Sequence, residues 1–311
     1  MLENIRILIG QIAVMLLLMG VGYVCFRIKY VDNRGAGQLS TLLNRVVAPS
    51  VIISSFHRDF DPDLGAALLI SVCCALLYFL CAVLCAHIVF RKKERIASVP
   101  DKRFCTVFTN CGFMSLPLLD ALFGSYGLFL GSAFIVVNNL LIWSYGVDQL
   151  TTGVTLHQRI RSILLNPGTV SLAIGLVLFL TPLSLPGPVA TGVSYLASLN
   201  TPVAMLILGA FLAQCDLRAC FTDKGVYQVA ALSLLVLPLI TMALYLLLPL
   251  DPTVRAAMLV CVSAPVAMAA PMFAQVYGTD YLFSTRAVAV STLLSVLTIP
   301  AMNALLTLLG S

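Results

Sequence analysis

An all-α integral membrane protein of ten transmembrane helices, built as two inverted five-helix repeats with broken crossing helices 4 and 9, is predicted by three observations. First, 60% of the 311 residues are hydrophobic and only 10% are charged, against roughly 25% charged in a soluble domain, and the mean hydropathy is +1.02. Second, ten apolar runs bounded by polar residues follow one another, most of them near the roughly 20 residues that cross a bilayer. Third, residues 111–141 superimpose without a gap on residues 265–295, a shift of 154.

The runs fall at 6–26, 40–56, 64–90, 104–122, 127–147, 167–185, 191–214, 226–249, 255–277 and 282–309. The first lacks the basic flank and the small-residue cleavage site of a secretory signal, so it reads as a retained span. The second is the weakest, because Asn44, Arg45 and Pro49 interrupt it, which suits a short, tilted or half-buried crossing.

Charge sets the orientation. With the N-terminus outside, the inward connections hold fifteen basic residues: Arg27, Lys29, Arg34, Arg45, Arg91, Lys92, Lys93, Arg95, Lys102, Arg103, Arg159, Arg161, Arg218, Lys224 and Arg286. Only Arg6, Arg58 and Arg255 lie outward, so the positive-inside bias predicts a multi-pass protein of the cell membrane with both termini extracytoplasmic. The net charge of +5 is thereby explained without a nucleic-acid partner. Ten cysteines fall in or beside spans without metal or redox spacing and read as packing residues, with Cys111 set apart by its position.

In the repeat, Met114 pairs with Met268, Pro117 with Pro271, Gly124 with Gly278, and Leu128-Phe129 with Leu282-Phe283. One residue off the same shift, Pro49 corresponds to Pro202. The halves are therefore 1–148 and 167–311, joined by a short cytoplasmic connector at 149–166. An odd number of crossings per half gives the copies opposite orientation, the plan of many secondary transporters.

A proline inside a helix removes a hydrogen bond and clashes with the preceding turn. Broken backbone at membrane depth is tolerated where protein buries it or where it lines a wet cavity. Two such breaks at equivalent places predict unwinding at Phe113–Leu116 and Ala267–Ala270, with Pro117 and Pro271 each opening a second half-helix. The half-helix N-termini would then face an anionic group near the bilayer centre. Simple kinks in packed helices are the plainer alternative. Asn110, Gly112, Ser115, Ser263 and Pro265 flank the breaks, while Asn138 in the fifth span and Asn200 in the seventh add deep amides. Interhelical hydrogen bonding would account for those amides nearly as well. No carboxylate lies deep enough for a proton carrier: Asp120 and Asp148 sit at span ends, and His57, His87 and His157 read as connection or interfacial residues.

The segments "FTNCGFMSLPLLDALFG", "GLFLGSAFIVVNNLLIWSYGV", "SAPVAMAAPMFAQVYG" and "LSVLTIPAMNALL" resemble the auxin efflux carrier family, bacterial branch, which is related to the bile acid/sodium symporter superfamily. The resemblance covers essentially the whole chain. It implies a scaffold domain and a mobile transport domain, helices 4 and 9 that break at prolines and cross, and a small organic carboxylate as substrate, auxin in plants or malonate and other dicarboxylates in bacteria. It also implies a substrate contact at Asn110, the asparagine before the first crossover proline, and a homodimer through the scaffold helices. The 18-residue connector 149–166 departs from the long cytoplasmic loop of plant members and argues against auxin itself.

The expected function is a secondary transporter, an efflux carrier or permease, of small organic anions such as mono- or dicarboxylates, bound at the Pro117/Pro271 crossover within the lipid bilayer. Coupling to sodium, protons or membrane potential stays open. No cofactor, metal or catalytic residue is implied: there is no G-x-x-x-x-G-K-[ST] loop and no deep Ser/His or carboxylate pair. A non-translocating membrane sensor with the same fold is the alternative.

Overall fold

The computed structural model describes residues 2–57, 61–91, 99–151, 155–181, 183–214 and 222–310. Lys92, Lys93, Arg95, Arg58, Arg218, Cys215 and Cys220, read above as topological charges or packing thiols, lie outside the described residues.

Fourteen helices are described: α1 (Leu2–Arg27), α2 (Asn33–Phe56), α3 (Pro62–Val89), α4 (Val99–Val107), α5 (Leu116–Leu141), α6 (Val147–Leu150), α7 (Leu156–Leu164), α8 (Pro167–Leu180), α9 (Gly187–Ser198), α10 (Asn200–Gln214), α11 (Lys224–Leu247), α12 (Pro252–Val262), α13 (Ala269–Tyr277) and α14 (Tyr281–Leu309). Among the described residues, seven helical stretches are long and apolar enough to cross a membrane, and α8 and α12 are shorter apolar helices. The ten predicted runs fall mainly on helical chain, but the sixth runs past the end of α8 at Leu180 and the fourth and ninth are each interrupted.

Sparse acids begin the helices. Asp32, Asp61, Asp223, Asp251 and Asp280 each accept a backbone N–H in the first turn of α2, α3, α11, α12 and α14. Their use as caps places these carboxylates at helix ends, where four N–H groups lack an intrahelical partner. At the other end of α3, buried Arg103 donates from Nε and Nη2 to the Phe90 carbonyl at 3.0 and 2.6 Å. Leu17, Leu69, Val276 and Leu297 are exposed on the outer surface, which suits lipid as the surrounding solvent.

Three of the four π-helical turns end two residues before a proline: Leu43–Val47 before Pro49, Cys111–Ser115 before Pro117, and Leu232–Val236 before Pro238. Widening the turn there accommodates the proline ring and its missing N–H without ending the helix.

At Gly124 the chain doubles back within α5, with φ 57° and ψ −146°. The fold-back is read from the contacts: a Cβ at Gly131 would lie 3.4 Å from Leu116 Cδ2, fifteen residues away, and one at Gly127 would lie 2.5 Å from the Leu119 carbonyl oxygen. The two arms of α5 are thus the end of predicted span four and most of span five. Gly278, the repeat partner of Gly124, closes α13 at φ 70°, and these two are the positive-φ glycines among the described residues.

The largest helix–helix contact joins α1 to α10. It is close because both sides are glycine: a Cβ on Gly22 would lie 2.1 Å from the Leu206 carbonyl oxygen, and one on Gly209 1.9 Å from that of Met19. The second half of α2 packs on α8 and α9, while α3 and α12 pack on α5. At one end of the bundle, buried Asp101 of α4 accepts from Thr279 Oγ1 at 2.7 Å, the Asp280 N–H at 3.1 Å and Ser284 Oγ at 3.3 Å, fastening α4 to the turn between α13 and α14.

Candidate functional site: the crossover and its cavity

The two breaks lie against each other. Phe108–Asn110, between α4 and the π turn, and Ser263–Met268, between α12 and α13, are non-helical. Thr109 and Val266 form an antiparallel bridge in which the Asn110 N–H donates to the Pro265 carbonyl at 2.7 Å and the Ala267 N–H to the Phe108 carbonyl at 3.0 Å. Backbone groups released by the breaks therefore satisfy each other, which meets the cost of irregular chain away from water. Side chains add to this: Thr109 Oγ1 donates to the Cys261 carbonyl at 3.3 Å, and the Val266 N–H donates to Ser291 Oγ at 3.1 Å.

This corrects the sequence-based break points. The first break precedes Phe113–Leu116 by several residues, and those residues are helical, in the π turn and the start of α5. Pro117 does not open a half-helix; it follows a helical run that begins at Cys111. In the second half Ala267 and Met268 do lie in the break, and Pro271 does stand in the first turn of the second half-helix, as its third residue. The correction there is that the break starts earlier, at Ser263, and that Ala269 and Ala270 are already helical. The physical reason is the same in both halves: proline disturbs the turn that precedes it, and the first helical turn tolerates it.

The predicted site residues divide by what their polar atoms do. Ser115 is spent on structure, donating from Oγ to the Val260 carbonyl at 3.3 Å. Asn200 stands at the junction of α9 and α10 and donates from Nδ2 to the Gly112 carbonyl at 3.2 Å. That carbonyl lies five residues before Pro117, which has no N–H to return to it, so the amide of another helix takes its place. Asn110 Nδ2, Asn138 Oδ1, Asn200 Oδ1 and Ser263 Oγ are all buried without a hydrogen-bond partner. Unpaired polar atoms of this kind are uncommon and costly. These four fall on residues singled out from sequence, three at or bonded to the crossover and one, Asn138, in the fifth span beside Asn139; Arg255 Nε, Thr292 Oγ1 and Thr298 Oγ1 are the other such atoms among the described residues.

A cavity of about 810 Å³ lies beside the crossover and is lined in part by the connector. Gly112, Leu116 and Ala269, which follow the two breaks in the chain, are among its lining residues, and a Cβ at Gly112 would meet nothing within 4 Å. Asn44 and Arg45 of α2, Asn139 of α5, Gln158 and Arg161 of α7, and Asn166 at the start of α8 supply polar groups, while Trp143 and Phe273 make an aromatic wall with ring centroids 5.1 Å apart. Among the described residues no aspartate or glutamate lines it. Sequence reading had counted Arg45 and Arg161 only as orientation charges and had passed over Trp143. Of the site residues expected from sequence only Gly112 is among the lining residues; Asn110, Ser115, Pro117, Asn138, Asn200, Ser263 and Pro265 are packed behind it, and Pro271 lines a narrow apolar recess with Met268 and Thr292 instead.

The remaining residues singled out from sequence are accounted for. His87 Nδ1 lies 2.9 Å from the Val83 carbonyl and 3.3 Å from the Tyr145 hydroxyl, and Asp120 and Asp148 are exposed at helix ends. Cys111 is buried in the π turn, and the described cysteines are free thiols.

A multi-pass helical membrane protein with two interlocked broken helices and a polar cavity leading to them is a transporter in its architecture. The sequence model of the family described as "Membrane transport protein" matches residues 7–153 and 151–303. The chain belongs to that family, which bears out the resemblance to the auxin efflux carriers. It is also similar to an "Uncharacterized transporter" of Methanothermobacter thermautotrophicus, 24% identical over 293 residues that cover 94% of this chain and 96% of the relative.

Proposed function

We propose that the protein is a secondary carrier of small organic anions that binds them where the cavity meets the crossover. One observation carries the reading: buried, unpartnered amide and hydroxyl groups gather at two mutually bonded helix breaks, beside a cavity whose charged lining residues are all basic. In this reading Asn110 Nδ2 donates to the substrate and Asn200 bridges the substrate to the Gly112 carbonyl. Ser263 and Asn138 complete the polar shell, and Pro117, Pro265 and Pro271 shape it without touching the anion. A carboxylate suits amide and hydroxyl donors in a site shielded from water, because each such bond to a charged group is worth about 1.5–3 kcal/mol.

The two halves act as inverted repeats in this proposal, and transport proceeds by movement of the crossing helices against the α1–α10 scaffold. The cavity opens on the cytoplasmic side, in keeping with the basic residues of the connector, and both termini lie outside.

The test is flux. Liposomes holding the purified protein should take up at least one of a panel of radiolabelled mono- and dicarboxylates in a saturable manner, under an imposed sodium, proton or voltage gradient. Asn110→Ala should raise KM by roughly tenfold or more. Absence of saturable flux for every anion under every gradient sinks the carrier reading and favours a non-translocating sensor.

A further inference from the structure

We propose that Arg45 and Arg161 make the connector-side cavity an anion-gathering vestibule, so that the charge of what reaches the crossover is selected before binding. The inference rests on reading the cavity as the route to the crossover. It assigns to two side chains a selective role that a positive-inside bias alone does not require.

Arg45 belongs to the π turn of α2 and Arg161 to α7, so the two cations stand on separate elements of one wall system. Both side chains are exposed, and neither has an ion-pair or hydrogen-bond partner among the described residues, so their charge is left free to act on what enters the cavity. No carboxylate among the described residues lines the cavity to offset them. The other polar lining groups, the amides of Asn44, Asn139 and Gln158, are neutral and can turn donors toward an anion. A concave space lined by one sign of charge and walled by low-dielectric protein focuses its field and raises the local concentration of the opposite ion by about tenfold or more. Guanidinium groups suit this task, since they stay charged at any physiological pH and bind carboxylates through two parallel N–H bonds.

The placement of Arg161 gives the vestibule a second property. It lies on α7, a nine-residue helix inside the connector between the two halves, which packs on the π turn Ile142–Gly146 and on the start of α8. One of the two selecting charges therefore belongs to neither bundle.

The chain contains a single tryptophan, and Trp143 lines this cavity. Its fluorescence reads the local ion population with no need to know the substrate. The purified full-length protein, in detergent and in lipid vesicles, would be titrated with iodide, caesium and neutral acrylamide at constant ionic strength. Iodide should quench severalfold more strongly than caesium. In Arg45→Gln plus Arg161→Gln the iodide quenching should fall to the caesium level while acrylamide quenching stays unchanged, which shows that the fold and the exposure of Trp143 are kept. Equal quenching by iodide and caesium in the natural protein would overturn the inference. So would an iodide preference that survives the double replacement. Iodide selectivity that depends on both arginines, in a protein that moves no carboxylate, would keep the vestibule and sink only the carrier reading.

Discussion

At the scale of single residues, the exchange among Pro117, Gly112 and Asn200 is the sharpest case of one side chain standing in for a missing backbone group. Asn200→Ala should leave the buried Gly112 carbonyl unpaired and cost about 1–3 kcal/mol, read as a lowered melting temperature in detergent. Pro117→Ala supplies an N–H in the same region, so the double variant should be less destabilised than the sum of the two single ones. Asn110, Asn138, Asn200 and Ser263 stand out in the sequence because deep polar residues in an apolar span are conspicuous, and each is buried with an unpaired polar atom. The hydroxyl of Ser115 serves a carbonyl of another helix, a partner that only the packing reveals. That Arg45 and Arg161 line the cavity was not legible, because a basic residue near a span end is explained by topology until the folded chain shows what it faces.

At the scale of elements, glycine and proline positions mark where helices change. Gly124 adopts φ 57° and ψ −146°, at the edge of a region that side chains essentially do not enter, whereas Gly278 adopts the left-handed helical conformation at φ 70° and ψ 28°. Gly278→Asn should therefore be tolerated, since asparagine visits that region. Gly124→Asn should cost about 1–3 kcal/mol and loosen the hairpin of α5, visible as faster amide hydrogen exchange on both arms. The pairing of these glycines was legible in the repeat, and so was the turn between spans four and five. The break points were not. A proline is easy to see, but its effect falls on the preceding turn, and a π turn shifts it further upstream, to Phe108–Asn110, where the sequence carries no breaker at all. In the second half Pro265 itself marks the break, while Pro271, the better repeat match, sits harmlessly in the first turn of α13.

At the scale of the molecule, α1 from the first half and α10 from the second meet backbone to backbone through Gly22 and Gly209. Gly209→Ala places a methyl group 1.9 Å from the Met19 carbonyl oxygen, so the helices must separate. A cost of about 1–3 kcal/mol is expected, measured as loss of folded protein on heating in detergent. Reporter domains fused at the two ends should both be active only outside the cytoplasm if the charge bias sets orientation as argued. The multi-pass helical class was fully legible from composition and run length. How the halves interlock was not, because it depends on contacts between residues 88 or more positions apart.

The antiparallel bridge at Thr109 and Val266 has a mechanical consequence. Two hydrogen bonds only one residue from its centre, at 2.7 and 3.0 Å, join the strands of chain where the helices cross. A load applied to α4 is thus handed directly to α13 and not dissipated in a loose loop. Asp101 ties the same partners a second time near their ends. Fastened at two points, the two broken helices are braced into one stiff lever, so under the proposed carrier function a cargo bound beside their junction travels with both arms together.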